Sequence, residues 1–254
     1  MKNIFNNFIW LIKKIFSKTF DRKNRKTGFI RNPYRYYLFE ELITVYGDNF
    51  FANKRILEIG PKDGEDTLRL DTLNPSEIIL NDLEEIKNSS HPINNFYKDF
   101  LLPNLEKIKS NYKFVFGNIN YLKKEELDNL GKFDLIWFTG IIYHIPEQIR
   151  ILRKLYNILN IDGVLVLETS TTRNKKLIKQ EAIEIANNGS YFFPSRKAII
   201  TMLNLVGYKN IVISKCYNKE NFNKKNIRLA LFATKKSNES DNLHRDKYIF
   251  GEAT

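Results

Sequence analysis

The residues with the clearest chemical potential lie in one short segment, Arg55-Ile-Leu-Glu-Ile-Gly-Pro-Lys-Asp-Gly-Glu65. An apolar run ends at an acid, Glu58, and is followed by Gly60 and Gly64, which bracket a tight turn into a helix. Glycine adopts positive φ without a steric penalty and lets a ligand approach the backbone closely. The segment therefore predicts a ligand-binding turn. Lys62 departs from the dinucleotide pattern G-x-G-x-x-G, and no third glycine opens the helix, which disfavours a pyrophosphate cradle.

Two further strand ends carry polar side chains. The run Ile78-Ile-Leu-Asn-Asp82 ends in an acid 22 residues after Gly60. An acid at the end of the second strand can accept hydrogen bonds from both hydroxyl groups of a ribose. The run Phe114-Val-Phe-Gly-Asn118 ends where a polar side chain could meet an adenine amine. Together these ends indicate a ligand that contains a nucleoside.

A later block, Phe133-Asp-Leu-Ile-Trp-Phe-Thr-Gly-Ile-Ile-Tyr-His-Ile-Pro146, contains the histidine best placed for chemistry. The unperturbed pKa of histidine, about 6.5, suits a base that removes a hydroxyl proton. His144 either has that role or orients its own loop. In Tyr191-Phe-Phe-Pro-Ser195, Tyr191 and Phe192 either wall an acceptor pocket or are core aromatics.

The elements that must position these residues alternate along the chain. Strands are predicted at Arg55–Ile59, Glu77–Asn81, Lys113–Phe116, Phe133–Phe138 and Val164–Thr169, and near 210–215 and 227–234. Helices are predicted at about Tyr34–Tyr46, from Glu65, at Pro146–Leu159, at 174–187 and at Arg196–Val206, with 83–111 helical or irregular. This alternation predicts an α/β doubly wound domain, in which ligands bind at the carboxyl ends of the strands.

Composition narrows the class of protein. A chain of 254 residues with 43% hydrophobic residues can bury a large core. The single cysteine, Cys216, excludes an intrachain disulfide, and three scattered histidines leave little for a metal site. Apolar stretches are far shorter than the ~20 residues of a membrane span. We also find no secretory signal. We therefore expect a soluble cytoplasmic protein without a bound metal.

Positive charge is concentrated at the amino end. The chain has a formal net charge of +12, and residues 1–26 contribute eight basic residues against one acid. Residues 1–20 also show helical apolar spacing, which is typical of a basic amphipathic helix. Such an arm lies on the inner face of an anionic membrane, docks on a partner, or covers the protein's own core or a dimer seam. We divide the chain into an arm and linker at 1–33, a domain at 34–236 and a polar tail at 237–254.

The four blocks, in this order, resemble class I S-adenosylmethionine-dependent methyltransferases across about residues 55–235. Ile142-Tyr-His-Ile-Pro146, the Leu-Glu-Thr169 strand end and Tyr191-Phe-Phe-Pro-Ser195 are more selective. They resemble the branch that includes the tRNA wobble-uridine carboxymethoxy-forming enzymes and relatives that act on small molecules and glycans. The resemblance implies a Rossmann-like, seven-stranded sheet with an antiparallel last hairpin. It also implies S-adenosylmethionine as the cofactor and S-adenosylhomocysteine as the product.

Carried over by position, the resemblance assigns three groups of residues. The cofactor would be bound by Glu58, Gly60, Pro61, Lys62, Asp63, Gly64, Asp82, Leu83, Asn118, Ile119, Thr139 and Gly140. Tyr143 and His144 would face the reaction centre as the catalytic pair. The acceptor would be bound by Arg31, Arg35, Tyr36, Tyr191 and Phe192. The sequence departs from the family pattern in two ways. Lys62 replaces a usual glycine, and we cannot place the full set of basic residues with which the tRNA enzymes bind a carboxylated cofactor.

Three hypotheses for function follow. The first is O-methylation of a small molecule, a nucleotide-linked sugar or a surface-polysaccharide precursor, favoured by the modest charge of the domain. The second is modification of the tRNA wobble uridine, favoured by the resemblance and the high isoelectric point. The third is a catalytically silent protein that keeps the cofactor fold and acts through a partner, including a second copy of itself.

Overall fold

The structure is a computed structural model that describes residues 33–47, 49–91, 93–215 and 228–236. The predicted amphipathic arm, the candidate acceptor residue Arg31 and the polar tail lie outside these described residues. Every structural statement below concerns the described part of the chain.

Five helices of at least seven residues and nine strands make up this part. The helices are α1 (Pro33–Tyr46), α2 (Glu65–Asp71), α3 (Lys124–Leu130), α4 (Gln148–Ile158) and α5 (Arg196–Val206). The strands are β1 (Arg55–Ile59), β2 (Glu77–Asp82), β3 (Tyr112–Phe116), β4 (Phe133–Thr139), β5 (Leu159–Ser170), β6 (Ile183–Ala186), β7 (Tyr191–Pro194), β8 (Lys209–Ile213) and β9 (Arg228–Thr234). Shorter helical segments are Glu84–Lys87, Asn94–Phe96, Tyr97–Leu101, Leu102–Leu105, Ile142–His144 and Asn187–Gly189. Among these helices, none has the length and apolar character needed to cross a bilayer.

Seven of the strands form one sheet in the order β3-β2-β1-β4-β5-β9-β8. Strands β1 to β5 run parallel, β9 pairs antiparallel with β5, and β8 pairs antiparallel with β9. The predicted α/β doubly wound, Rossmann-like sheet and its antiparallel last hairpin are confirmed. The order reverses direction between β1 and β4, and this switch point is where such sheets bind ligands.

The central strands form because nearly every residue in them is apolar and both faces of the sheet are covered. In β4, Ile136 and Phe138 contribute to one hydrophobic cluster, whereas Leu135 and Trp137 contribute to the other. Successive side chains of a strand point to opposite faces, so a continuous apolar run satisfies two cores at once. The α4 and α5 helices pack on the first face and α1 and α2 on the second.

The predicted helix over 174–187 is wrong. The segment begins with turns, continues as β6 and pairs antiparallel with β7 in a separate hairpin, with Ile185 opposite Phe192. Two features explain the difference. Ile183 and Ile185 alternate with polar or small residues, which favours a strand, and Asn187-Asn-Gly189 supplies a turn in which both end residues have positive φ.

Candidate active site

The carboxyl ends of the central strands meet along one edge of the sheet. Each of the predicted site turns is hydrogen-bonded to its neighbouring strand. The Gly60 amide donates to the Asn81 carbonyl at 2.8 Å, the Gly117 amide to the Asp82 carbonyl at 2.9 Å, and the Gly140 amide to the Glu168 carbonyl at 2.8 Å. The turns after β1, β3 and β4 are therefore fixed along the same edge of the sheet.

The turn after β1 has a backbone that only glycine adopts without strain at its two key positions. Gly60 and Gly64 have φ of +72° and +77°. A Cβ atom on Gly60 would lie 2.5 Å from Cδ1 of Ile141, so the backbone here closes against the turn after β4. Lys62 also has positive φ, and its Nζ lies 4.7 Å from the ring centroid of Phe96. The lysine that replaces the usual glycine therefore contacts the aromatic side chain of a neighbouring helical segment.

The turn is supported from the side of residues 101–105. Asn104 Nδ2 donates to the Asp63 carbonyl at 2.8 Å, and the Glu65 amide donates to Asp63 Oδ1 at 3.3 Å. Pro61 and Asp63 are both buried. These contacts hold the amino terminus of α2 in place without a ligand.

Glu58 is a carboxyl group buried below this turn, with 1% of its surface exposed. It accepts a hydrogen bond from Thr67 Oγ1 at 2.6 Å. Burial, reinforced by the nearby Asp66 carboxylate, raises the pKa of Glu58 to about 8. A ligand cation such as an ammonium group would favour the ionised form, so this carboxyl group is poised to bind one.

Asp82 closes β2 with its carboxyl group largely removed from water. Burial raises the pKa of Asp82 to about 6, although the Leu83 amide donates to Asp82 Oδ1 at 2.8 Å and opposes that effect. Strand β2, which ends at Asp82, is the neighbour of β1, which precedes Gly60. A ligand that lies across the ends of these two strands could contact both residues. Its role in binding ribose hydroxyls stays a prediction.

The loop after β3 is held from below by α4. Lys154, a buried residue of that helix, donates from Nζ to the Asn120 carbonyl at 2.7 Å and to the Leu122 carbonyl at 2.6 Å. Within the loop, Asn118 Oδ1 accepts from the Asn120 amide at 3.0 Å, and Ile119 is buried. Asn118 and Ile119 are therefore fixed at the same edge as Asp82.

Arg35 reaches this edge from α1. Its Nη1 donates to Asp66 Oδ2 at 3.0 Å, and its Nη2 donates to the Thr139 carbonyl at 3.2 Å. A Cβ atom on Gly140 would lie 2.6 Å from Arg35 Nη2, so the guanidinium group touches the turn after β4. Arg35, which was predicted to contact an acceptor, therefore braces the turn after β4 in this structure. Tyr36, by contrast, is 40% exposed on the outer side of α1.

Three stacked aromatic rings form a wall beside the turn after β4. The Tyr143 ring centroid lies 6.1 Å from that of Tyr191 and 5.9 Å from that of Phe193, and the rings of Tyr191 and Phe193 are nearly parallel. The imidazole of His144 lies 5.1 Å from Tyr191. The ring that stacks on Tyr191 belongs to Phe193, which was not among the predicted site residues. Phe192 was predicted to wall the acceptor pocket together with Tyr191. Adjacent residues of β7 point to opposite faces, and Phe192 lies on the other face, opposite Ile185.

A buried ion pair lies next to this wall and was not predicted. Arg228 of β9 donates from both Nε and Nη2 to the Glu168 carboxylate of β5, the latter at 2.8 Å. Glu168 is fully buried, and the Arg228 guanidinium carbon lies 5.7 Å from the Tyr143 ring centroid. Burial and then the positive charge of Arg228 lower the pKa of His144. The signal in the sequence was a charged residue in each of two apolar strands, but their pairing depends on the strand order.

The residues at this edge fit S-adenosylmethionine. Glu58 would offer a buried acid to the amino group, and Gly60 leaves a cradle with no Cβ. Asp82 would offer a partly dehydrated acid to the ribose, and Asn118 would lie beside the adenine. No group of three or more His, Cys, Asp or Glu side chains in the described ranges could hold a metal ion.

Sequence comparison finds similarity to tRNA U34 carboxymethyltransferases of several bacteria. The chain is 26% identical over 161 residues to the tRNA U34 carboxymethyltransferase of Nautilia profundicola, covering 63% of this chain and 49% of that protein. It is 31% identical over 146 residues to the enzyme of the same name from Campylobacter lari, covering 56% of this chain and 45% of the relative. The chain therefore matches about half the length of these relatives.

Structural comparison and a family match agree on the class. The amino-terminal domain of EvdMO1 with S-adenosylhomocysteine bound superposes with a TM-score of 0.58 at 14% identity, over 82% of this chain and 83% of that one. A methyltransferase from Clostridium acetobutylicum gives a TM-score of 0.55 at 12% identity, over 89% and 100% of the two chains. These likenesses show a shared fold. The methyltransferase domain family matches residues 31–213, well over half of the chain. The protein therefore belongs to the methyltransferase domain family and is an S-adenosylmethionine-dependent methyltransferase.

Proposed function

We propose that this methyltransferase transfers its methyl group to a hydroxyl oxygen of a small acceptor, such as a nucleotide-linked sugar or a surface-polysaccharide precursor. The observation that carries the proposal is the placement of His144 against a wall of stacked aromatic rings at the methyl-donor edge. Flat, rigid aromatic walls with a few polar groups are typical of pockets for small molecules.

The sulfonium group of S-adenosylmethionine supplies a methyl carbon that is already activated for displacement. The chain must then hold the acceptor oxygen in line at roughly 3 Å and exclude water. Tyr143, Tyr191 and Phe193 provide the wall against which the acceptor would be held. The imidazole of His144 would accept the proton that the acceptor hydroxyl loses when its oxygen is methylated, and S-adenosylhomocysteine would leave.

The electrostatics of the wall support that role for His144. A base must be unprotonated before it can accept a proton, and the lowering of the pKa of His144 favours its neutral imidazole. Arg228 contributes to this lowering, yet its own charge is balanced by the buried Glu168. The site can therefore hold a neutral base beside a cation without accumulating net positive charge.

The second candidate is modification of tRNA at the wobble uridine. It is favoured by the names of the relatives, to which the chain is 26% and 31% identical over about half of their length. Binding to tRNA would be strongly dependent on salt, because phosphate contacts release counterions. A small acceptor has at most two phosphates, so the logarithm of its affinity would fall with the logarithm of the salt concentration with a smaller slope than for tRNA.

The experiment supplies S-adenosylmethionine labelled in its methyl group, and in a parallel series its carboxylated form with the corresponding label, to three pools taken from a strain that lacks this gene: nucleotide sugars, extracted glycans and bulk tRNA. We expect label in the first or second pool and none in tRNA. Asp82→Ala, which weakens cofactor binding, is the negative control for each pool. Stoichiometric labelling of tRNA would overturn the proposal in favour of the second candidate. Cofactor binding without label in any pool would favour a catalytically silent protein.

A further inference from the structure

The loop that follows β5 carries most of the net charge of the domain. Residues 173–180, Arg-Asn-Lys-Lys-Leu-Ile-Lys-Gln, contain four basic residues and no acid. Of the formal net charge of +12, residues 1–26 account for seven and this loop for four, so the remaining residues together contribute a single positive charge. A lysine-rich composition alone would distribute this excess over the whole surface. We call residues 173–180 the cationic loop.

The cationic loop is anchored at both ends. At its start, the amide of the buried Thr172 donates to the Pro194 carbonyl at 3.0 Å, and Thr172 Oγ1 donates to Glu184. At its end, the hydroxyl of the buried Ser195 donates to the Gln180 carbonyl, and the Ser195 amide donates to the Ala182 carbonyl at 2.8 Å. Its backbone is therefore positioned before any ligand binds, which reduces the entropy lost on binding.

The loop lies at the same edge as the acceptor wall. It begins three residues after β5 ends at Ser170, on the carboxyl edge of the sheet. Glu184, to which the loop start is bonded, pairs across the hairpin with Phe193, a ring of the wall. Neighbouring strands are about 4.8 Å apart. The start of the cationic loop is therefore held one strand away from the aromatic wall.

The lysines of the loop are available to a ligand. Lys175, Lys176 and Lys179 are exposed, and their side chains make no ion pair with any residue in the described ranges. Lys197 is also exposed, in the first turn of α5 directly after the Ser195 anchor. The partial positive charge of that helix terminus adds to the same field. An anion of two or more charges matches this arrangement better than a single carboxylate.

We propose that the cationic loop binds a diphosphate group of the acceptor while the aromatic wall holds the part that is methylated. This rests on the proposed function and specifies it: the acceptor is a sugar or small alcohol joined to a carrier through diphosphate. The carrier is a soluble nucleoside or a polyprenyl lipid, and the shared chemistry recognised by the loop is the diphosphate.

The test compares two triple variants of the full chain that remove the same charge. The loop variant is Lys175→Ala, Lys176→Ala, Lys179→Ala, and the control is Lys98→Ala, Lys109→Ala, Lys113→Ala, three exposed lysines outside the loop. Inorganic pyrophosphate is titrated calorimetrically into each protein saturated with S-adenosylhomocysteine, at low salt. Each exposed charge pair changes the affinity by less than tenfold, so the loss of three lysines together should weaken pyrophosphate binding to the loop variant about tenfold. The control should stay within about twofold of the unmodified protein.

Further arms separate the sources of the diphosphate. Uridine diphosphate tests a nucleoside carrier, and neutral vesicles containing a polyprenyl diphosphate test a lipid carrier; loop-dependent binding of either supports the proposal. Undetectable pyrophosphate binding, or equal weakening in both triple variants, would overturn it. Loop-dependent binding of tRNA together with loop-independent binding of pyrophosphate would overturn it in favour of RNA. None of these measurements requires turnover, so a failed pyrophosphate titration leaves the methyl-transfer experiment to judge the proposed function separately.

Discussion

Replacing Glu58 with glutamine should make the cofactor-free protein more stable at neutral and alkaline pH. The carboxyl group is buried, and its pKa is raised from 4.5 to about 8. A folded state that binds this proton more tightly than the unfolded chain loses stability as the pH rises through the interval between the two values. Glutamine is neutral throughout and can still accept the hydrogen bond from Thr67.

The magnitude follows from the shift. Each pH unit between about 4.5 and 8 should lower the free energy of unfolding of the wild type, relative to Glu58→Gln, by about 1.4 kcal/mol. Over the whole interval the difference approaches roughly 4–5 kcal/mol. This is a large part of the 5–15 kcal/mol that stabilises an ordinary domain. Below the ordinary pKa of glutamate, the two proteins should be equally stable.

The assay is urea unfolding of cofactor-free wild type and Glu58→Gln between pH 5 and 9. Glu181→Gln, at an exposed position, is the matched control and should follow the wild type. S-adenosylhomocysteine affinity is measured in parallel, and in the wild type it should rise towards pH 8 as the carboxylate forms. Parallel stability profiles for wild type and Glu58→Gln would refute the reasoning, because they would mean that the buried carboxyl group titrates normally.

Outcomes are also expected for five further changes. Asp82→Ala should weaken S-adenosylhomocysteine binding by about 1–3 kcal/mol in calorimetry, because ribose hydroxyls would lose their partner in a partly dehydrated site; unchanged affinity would remove Asp82 from the site. Gly60→Ala should destabilise the protein by about 1–2 kcal/mol in thermal unfolding, since φ is +72°, and an unshifted melting temperature would contradict this. His144→Ala should lower turnover about 10²–10⁴-fold while cofactor affinity is kept. Arg228→Gln should move the acid limb of the pH profile of kcat/KM to higher pH, because it removes a positive charge that lowers the pKa of His144. Arg228→Lys, which keeps the charge, is the control. Deleting residues 1–26 should abolish binding to anionic liposomes, measured by sedimentation, without changing cofactor affinity; retained binding would reject a membrane role for the arm.

The central strands could be predicted closely because their sequences have few alternatives. Residues 55–59 and 133–138 are nearly continuous apolar runs between turn residues, and the structure has both as parallel strands. The ligand-binding turn from Gly60 to Gly64 could be predicted equally well, because two glycines that follow an acid at a strand end favour a tight turn with positive φ. These signals are local, and the fold keeps them.

Contacts between distant strands could not be predicted in the same way. Arg228 and Glu168 are 60 residues apart, and only the antiparallel register, which places Arg228 opposite Ser170, brings them together. The hairpin that replaced the predicted helix was misread because Lys and Gln favour helices locally. Its strand is stabilised by pairing with residues 191–194, a contact that no local window contains.

The contact between Arg35 and the turn after β4 sets a practical limit on how this protein can be shortened. A design that treats everything before β1 as a dispensable extension would remove a guanidinium group that binds both Asp66 and the Thr139 carbonyl. Such a truncation would leave the buried Asp66 carboxylate with one cation fewer and release the turn that borders the methyl donor. A fusion junction or protease site intended to remove only the arm therefore belongs ahead of residue 31, where the match to the methyltransferase domain family begins.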